Sequence, residues 1–518
     1  MYPQQSIYVT DWLAKRAQLT PHKIGLQEAD TGQQVTFAAW NERVNRTANY
    51  LRSLGVGKGD RVSTYAENRA EYVDIFLACG KIGAIQHNMN WRLTVNELES
   101  MVRDAEPAVL VYSGQYAAQA ADLRARVDGS DGSTVYVALD GGSDDRDFSE
   151  RLSHEPTLAD RPALTFDDPW GIYYTGGTTG LPKGAILTHG NITWNSINTI
   201  TGWDIGPDDV ALLQLPLFHV GGPNIFFMPL IHLGGKTILC EKFDVDQTFD
   251  LITQAGVTHF VGVPTMFLMM QEHERWAETD FSHMKLIISG GAPCPRAIME
   301  KFWAKGVDFK MGYGLTEAAG NNFWLPVKDI QRKPESVGFP LIHVDMKVVR
   351  PDGTTCEPNE AGELLIRGPH VTPGYWNRPE ATAETLVDGW LHTGDLASHD
   401  DEGYFKIIGR IKDMLISGGE NVYPAEIESV MHSHPAVGEA ALIAVPHEKW
   451  GEVGRAIVVV KPGATLSEEA LIAYLGERLA RYKIPKSVVF IDEMPKTVIG
   501  KLDKKVLVQQ YGTTEEHA

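Results

Sequence analysis

Over residues 37–54 the apolar positions Val44, Ala48 and Leu51 return every three or four residues, the spacing of one helix face. Ahead of them the chain reads as a leading helix and a hairpin turning at Asp30-Thr31-Gly32. Short apolar runs follow at 61–65, 84–87 and 108–112, separated by helical stretches at 70–82 and 94–104. Strands alternating with helices predict a largely parallel sheet. Gly55-Val56-Gly57-Lys58-Gly59 has the look of a dinucleotide loop, but its strand comes after it rather than before, so it reads as a turn. Residues 128–147, rich in Gly, Ser and Asp, predict a surface loop around one strand at 134–138.

The same alternation continues downstream. A strand at 170–174 leads into a Gly/Thr-rich loop, and a helix starts near His189. An apolar helix is expected over 224–232, a strand over 256–263, a helix over 264–271 and a strand over 285–289. Residues 347–366 look strand-rich. Beyond residue 411 come a helix at 425–431, strands at 440–445 and 456–460, a helix at 468–480 and a strand at 488–491. The fold class is α/β: a large amino-terminal domain with mixed and parallel sheets plus a β-rich subdomain, then a small α+β carboxy-terminal domain. The division falls at 1–411 and 412–518.

Composition narrows the function. At 518 residues the chain suggests two to four folded units. A net charge of −20 argues against nucleic acid, whose affinity comes mainly from Lys and Arg on phosphates. An acidic protein that binds a polyphosphate needs a local cluster of positive charge. The 4 cysteines, at 79, 240, 294 and 356, have no metal or redox spacing, which predicts a reducing compartment. Asp11, Lys15 and Arg16 interrupt the first 25 residues, so no signal peptide is expected. No run approaches the ~18 apolar residues of a membrane span. The expected location is the cytoplasm.

The chemistry centres on Tyr174-Thr175-Gly176-Gly177-Thr178-Thr179-Gly180-Leu181-Pro182-Lys183-Gly184. Glycines leave amide N–H groups uncovered, threonine hydroxyls donate to phosphate oxygens or face a metal ion, and lysine adds a point charge. A plain Gly/Thr turn with an exposed lysine is the bland alternative; the concentration of these groups favours a polyphosphate. A Walker A loop is excluded, because Leu181 and Pro182 separate Gly180 from Lys183 and no hydroxyl follows the lysine.

This loop resembles the phosphate loop of the adenylate-forming superfamily, which includes acyl-CoA synthetases, nonribosomal adenylation domains and firefly-type luciferases. Its commonest form has serine where this chain has Gly176. Further blocks resemble the family's in the expected order. Leu217-Phe218-His219-Val220-Gly221-Gly222 resembles the acid-binding segment; amino-acid-activating members carry an aspartate at the position of His219, so an amino-acid substrate is not expected. Gly291-Ala292-Pro293 lets a flat ring approach the backbone. Gly312-Tyr313-Gly314-Leu315-Thr316-Glu317 resembles the block whose tyrosine stacks on adenine and whose glutamate faces Mg²⁺. Asp395 resembles the ribose-binding aspartate and Arg410 a ribose contact. Lys412 resembles the hinge position of a mobile small domain. Ser417-Gly418-Gly419-Glu420 and Trp450 resemble the pantetheine channel. Lys501, in Gly500-Lys501, resembles the lysine that bridges carboxylate and α-phosphate.

The resemblance implies an AMP-forming acid–CoA ligase that uses ATP, Mg²⁺ and coenzyme A. Its implied catalytic residues are Lys183, His219, Glu317, Lys412 and Lys501, with Thr175 and Glu317 on the metal. The expected acid pocket, His219, Val220, Gly221, Gly222, Phe226, Phe227, Thr265 and Trp324, is nearly all apolar, with no Arg or Lys to select a dicarboxylate. Gly221-Gly222 would leave depth for an alkyl chain, and a medium- or long-chain fatty acid is the first expectation. An aryl acid of the 4-coumarate or benzoate type comes next. A stand-alone adenylation module loading a carrier protein and a luciferase-like oxygenase are the alternatives from other classes. Peripheral membrane contact and a homodimer stay open.

Overall fold

Helix Ala70–Ile82 is apolar on almost every side, and every residue in it but Glu71 is buried. Such a helix belongs in an interior rather than on a face. Around it one apolar cluster joins Val62, Val109 and Val111 of one seven-stranded sheet to Leu26, Leu213 and Leu239 of a second. A computed structural model describes residues 8–127, 133–175, 182–417, 420–447, 449–497 and 502–513.

The first sheet runs in the order Arg146–Asp147, Val135–Ala138, Val109–Tyr112, Arg61–Tyr65, Ile85–Asn88, Pro169–Thr175, Lys183–Thr188. All its pairs are parallel except the last. The second runs Phe309–Met311, Leu286–Ser289, His259–Gly262, Val210–Leu213, Lys236–Leu239, Ile24–Glu28, Gln34–Thr36, again parallel but for its final hairpin. The third, antiparallel, sheet is built on Asp345–Val349, Gly362–Arg367, Trp390–His399 and Phe405–Arg410. After the single turn Ile411–Asp413 comes a separate five-stranded sheet, centred on the long pair Val437–His447 and Gly451–Val460, with its own apolar core. The α/β class, with a β-rich third sheet and a small α+β unit at the end, is the one expected.

Three elements differ from the sequence reading. A strand, Lys183–Thr188, stands between the phosphate loop and the helix His189–Trp203. Pro182 opposes an immediate helix, and the freed backbone pairs back antiparallel on Pro169–Thr175. The helix expected over 224–232 divides into a π-turn, Pro223–Phe227, and helix Met228–Leu233. Met228 N–H reaches back five residues to Pro223 O, and Pro229 has no N–H to continue the ordinary ladder. The helix expected over 468–480 is Glu468–Gly476; it stops at glycine, a poor helix former.

Asp74 anchors the central helix. Its fully buried carboxylate accepts from Trp40 Nε1 at 3.0 Å and pairs with Arg43 Nε at 2.7 Å, with Arg151 3.6 Å away. Asp74→Ala leaves two poorly exposed guanidinium groups without their carboxylate, so the unfolding free energy in urea should fall by about 3–5 kcal/mol. Unchanged stability would mean the three groups do not act as a unit.

Candidate active site

The hairpin that carries the phosphate loop is gripped from its far side. Thr175 stands opposite Lys183 in register, and Thr175 Oγ1 donates to Lys183 O at 3.4 Å. Along the outer edge of Lys183–Thr188 runs the 374–376 segment. Ile186 N–H donates to Gly374 O at 3.0 Å, Trp376 N–H donates to Gly184 O at 2.7 Å, and Ala185 stands opposite Tyr375. Lys183 Nζ consequently lies 5.4 Å from the centre of the Tyr375 ring, within cation–π range. The Tyr375 hydroxyl donates to Glu317 Oε1 at 2.8 Å. Burial, with the Glu317 carboxylate beside it, pushes the Tyr375 phenol up, so it stays a proton donor. Thr372 closes the set: its N–H donates to Glu317 O at 2.7 Å and its hydroxyl to Ile186 O at 2.6 Å. Lysine, tyrosine and glutamate from three separate stretches are thereby fixed against one another.

A second constellation is built on the antiparallel sheet. Asp395 and Arg410 face each other across the strand pair Trp390–His399 and Phe405–Arg410, and Arg410 Nε meets Asp395 Oδ1 at 2.6 Å. The other carboxylate oxygen accepts from the Tyr313 hydroxyl. Burial first, then Asp395, holds the Tyr313 phenol well above its ordinary value. The Tyr313 ring packs edge-on against Phe323 at 5.8 Å. Two glycines set the path of this block. A Cβ at Gly312 would lie 2.8 Å from Ile288 Cγ2, and one at Gly314 would lie 1.4 Å from Gly320 O. Thr316 is buried, Leu315 is half-buried, and Gly291, Ala292 and Pro293 lie exposed after strand Leu286–Ser289. Arg410 bears on Tyr375 as well as on Asp395, so the two constellations share one charged neighbourhood.

The sequence model of the AMP-binding enzyme family matches residues 13–376, and that of the AMP-binding enzyme C-terminal domain matches 426–501. The chain belongs to the AMP-binding enzyme family. It is similar to a feruloyl-CoA synthase of Amycolatopsis sp, 39% identical over 97% of this chain and 98% of that one. It is also similar to a long-chain-fatty-acid–CoA ligase of Mycobacterium tuberculosis, 37% identical over 97% and 98%. Among solved structures, ATP-bound MatB from Rhodopseudomonas palustris superposes with a TM-score of 0.88 at 34% identity, covering 97% of this chain and 99% of the other. This member of the AMP-binding family is an enzyme of the acid–CoA ligase type.

The structure places the residues of the expected acid pocket of this AMP-binding enzyme in different clusters. His219 Nδ1 accepts from Gly221 N–H at 3.1 Å, which leaves the ring proton on Nε2. A Cβ at Gly222 would lie 2.5 Å from Pro216 O and one at Gly221 3.2 Å from His219 Nδ1, so the turn packs closely on the Cβ side of both. The π-turn sends Phe226 and Phe227 to opposite sides. Phe226 packs on Trp203 and His259, whereas Phe227 joins Val220 in the central core, near Trp40. Phe227 and Val220 are core residues here, because adjacent residues in a helical turn face different directions. Trp324 is 42% exposed and lies against Phe339; its strand Phe323–Trp324 turns only Phe323 inward.

On the expected coenzyme A side, Ser417 pairs with Glu420 and with Gly451, directly after Trp450, which is half-exposed with Lys449 over its ring. Lys412 lies in the turn Ile411–Asp413. Its ammonium is held below the usual lysine range by desolvation, opposed by Asp413 and reinforced by Arg410 and Lys505. Gly176, Gly177, Thr178, Thr179, Gly180, Gly418, Gly419 and Lys501 lie outside the described residues. Tyr375 and Thr372 carried no recognisable motif in the sequence, since their importance comes from partners more than 50 positions away.

Gly314→Ala drives a methyl into the Gly320 carbonyl and must displace Tyr313. ATP affinity measured by calorimetry should fall at least about tenfold, the effect of one lost well-placed contact, with far-UV circular dichroism unchanged. Wild-type affinity would show that the Tyr313 block does not touch the nucleotide.

Proposed function

We propose that this ligase activates an aryl carboxylic acid as its acyl-adenylate and then transfers the acyl group to coenzyme A. The observation that carries the reading is the Lys183–Tyr375–Glu317 set at the foot of the phosphate hairpin, next to the Tyr313–Asp395–Arg410 set. In the first step the acid's carboxylate attacks the α-phosphate of ATP and pyrophosphate leaves. An anion attacks a polyanion, so the chain's work is electrostatic. Lys183 supplies charge at the hairpin, Lys501 bridges carboxylate and α-phosphate, and Asp395 and Arg410 hold the ribose. Tyr375 occupies Glu317 Oε1 and leaves Oε2 without another hydrogen bond among the described residues. Thr175 and that oxygen fit a hard Mg²⁺ ion, which would offset phosphate charge. His219 borders the acid.

In the second step the coenzyme A thiol attacks the acyl carbonyl carbon and AMP leaves. One face cannot hold Lys501 and admit pantetheine together. The chain therefore divides at 1–411 and 412–518, and rotation about Lys412 exchanges Lys501 for the Ser417–Glu420 hairpin and Trp450. For the acid, the close turn at Gly222 and the flat apolar faces of Phe226 and Trp203 suit a ring better than a chain. The likeness to a feruloyl-CoA synthase supports this. A fatty acid is the second reading, supported by the likeness to the mycobacterial fatty-acid ligase.

The half-reactions separate the two lysines. Lys501→Ala should slow acid-dependent pyrophosphate release by roughly 10²–10³, the scale for losing one preorganised charge donor, and largely spare thioester formation from supplied acyl-AMP. Lys412→Pro, which fixes φ, should do the reverse. Equal losses in both half-reactions for Lys501→Ala would sink the two-state assignment.

A further inference from the structure

Strand Phe309–Met311 reads apolar-charged-apolar, and its middle residue has gone inside: Lys310 is only 3% exposed. The strand's alternation decides where the side chain goes. Phe309 joins the Phe267 and Phe302 aromatics on one sheet face. Lys310 stands in register with Ile288 on the other, the face where Ile288, Val261, Phe226 and Trp203 form one cluster. Phe226 comes from the acid-binding turn, and Trp203 ends the helix that follows the phosphate hairpin.

Among the described residues the Lys310 ammonium has neither a hydrogen-bond acceptor nor an ion-pair partner. The ammonium lies over the face of Trp203, 5.0 Å from Nζ to the ring centre. Asp308 acts on it electrostatically and offsets part of the burial, without pairing with it. Asp308 precedes it in the chain, His259 stands two strands away with its pKa pushed down to about 4 by burial, and Lys285 is spoken for by Asp209 at 2.7 Å. An ammonium has three donors, and burying them without an acceptor costs stability. Burial pushes the Lys310 pKa down to about 7. A residue this costly has a use where a ligand supplies the missing acceptor.

Lys310 lies on the short strand that leads into the Tyr313 block. We propose that Lys310 forms the floor of the acid pocket and accepts acids that carry a hydroxyl or other oxygen acceptor at the far end of the ring. This specificity role rests on the aryl-acid reading above, with Trp203 and Phe226 flanking the ring and Lys310 bonding its distal oxygen.

The test compares 4-coumarate with cinnamate, which differ by that hydroxyl alone, in pyrophosphate release by the full chain with ATP and coenzyme A. Wild type should favour 4-coumarate in kcat/KM. Lys310→Met should lower that preference by on the order of tenfold to a hundredfold, the range for a charged hydrogen bond, chiefly through KM for 4-coumarate, with cinnamate turnover little changed. Lys310→Arg, which keeps the cation, should retain a preference. A Lys310→Met enzyme with the wild-type ratio overturns the assignment while leaving the ligase reading intact. If Lys310→Met does not fold, wild type still decides against it when cinnamate and 4-coumarate are used equally well. Turnover of octanoate but of neither aryl acid overturns the aryl reading, and this inference with it.

Discussion

Thr175 faces Lys183 across a strand pair, and that one register governs the site. The hairpin brings the two ends of the phosphate loop together, so the loop leaves and re-enters the sheet at a fixed place. Because the second strand has an open edge, the 374–376 segment can dock along it through main-chain hydrogen bonds. That docking brings Tyr375 under Lys183 and onto Glu317, while Thr372 ties the Glu317 backbone to the same strand. Without the hairpin, residues 183, 317 and 375 would have no common frame.

Charge is the second constraint. The chain carries a net −20, yet its site must gather a carboxylate and a polyphosphate. The answer is local. Lys183 is brought against an aromatic face rather than an acid, and Arg410 is held by Asp395 and spans both constellations. A surface of the opposite sign elsewhere costs little at this range, because exposed charges beyond about 10 Å are screened at moderate salt. Lys310, buried beside the pocket, rests on the face of Trp203.

Much of the fold was legible because alternating periods of two and 3.6 residues ran cleanly through both large sheets. Helix Ala70–Ile82 could be read residue for residue, and Gly83 in the left-handed region marks its end. The site was legible where a block is local: Tyr313 to Glu317, or Asp395 with Arg410. It was not legible where function depends on partners distant in sequence. Tyr375 belongs to no recognised block, and nothing local says that Glu317 will receive its hydroxyl. Phe226 and Phe227 looked equivalent because a π-turn, caused by Pro223 and Pro229, is what sends them apart. Gly221 and Gly222 suggested empty space, whereas Pro216 O stands where a Cβ of Gly222 would go and the His219 ring lies close beside Gly221. Lys310 was overlooked although a lone lysine in an apolar strand run is a visible signal.

The most direct measurement is pyrophosphate release by the full chain with ATP and Mg²⁺, given ferulate, benzoate, octanoate, palmitate or an amino acid, each with and without coenzyme A. The account predicts release with the aryl acids that reaches steady turnover only when coenzyme A is present, and none with the amino acid. Release with an aryl acid that coenzyme A does not stimulate, or no release with any acid, would contradict it.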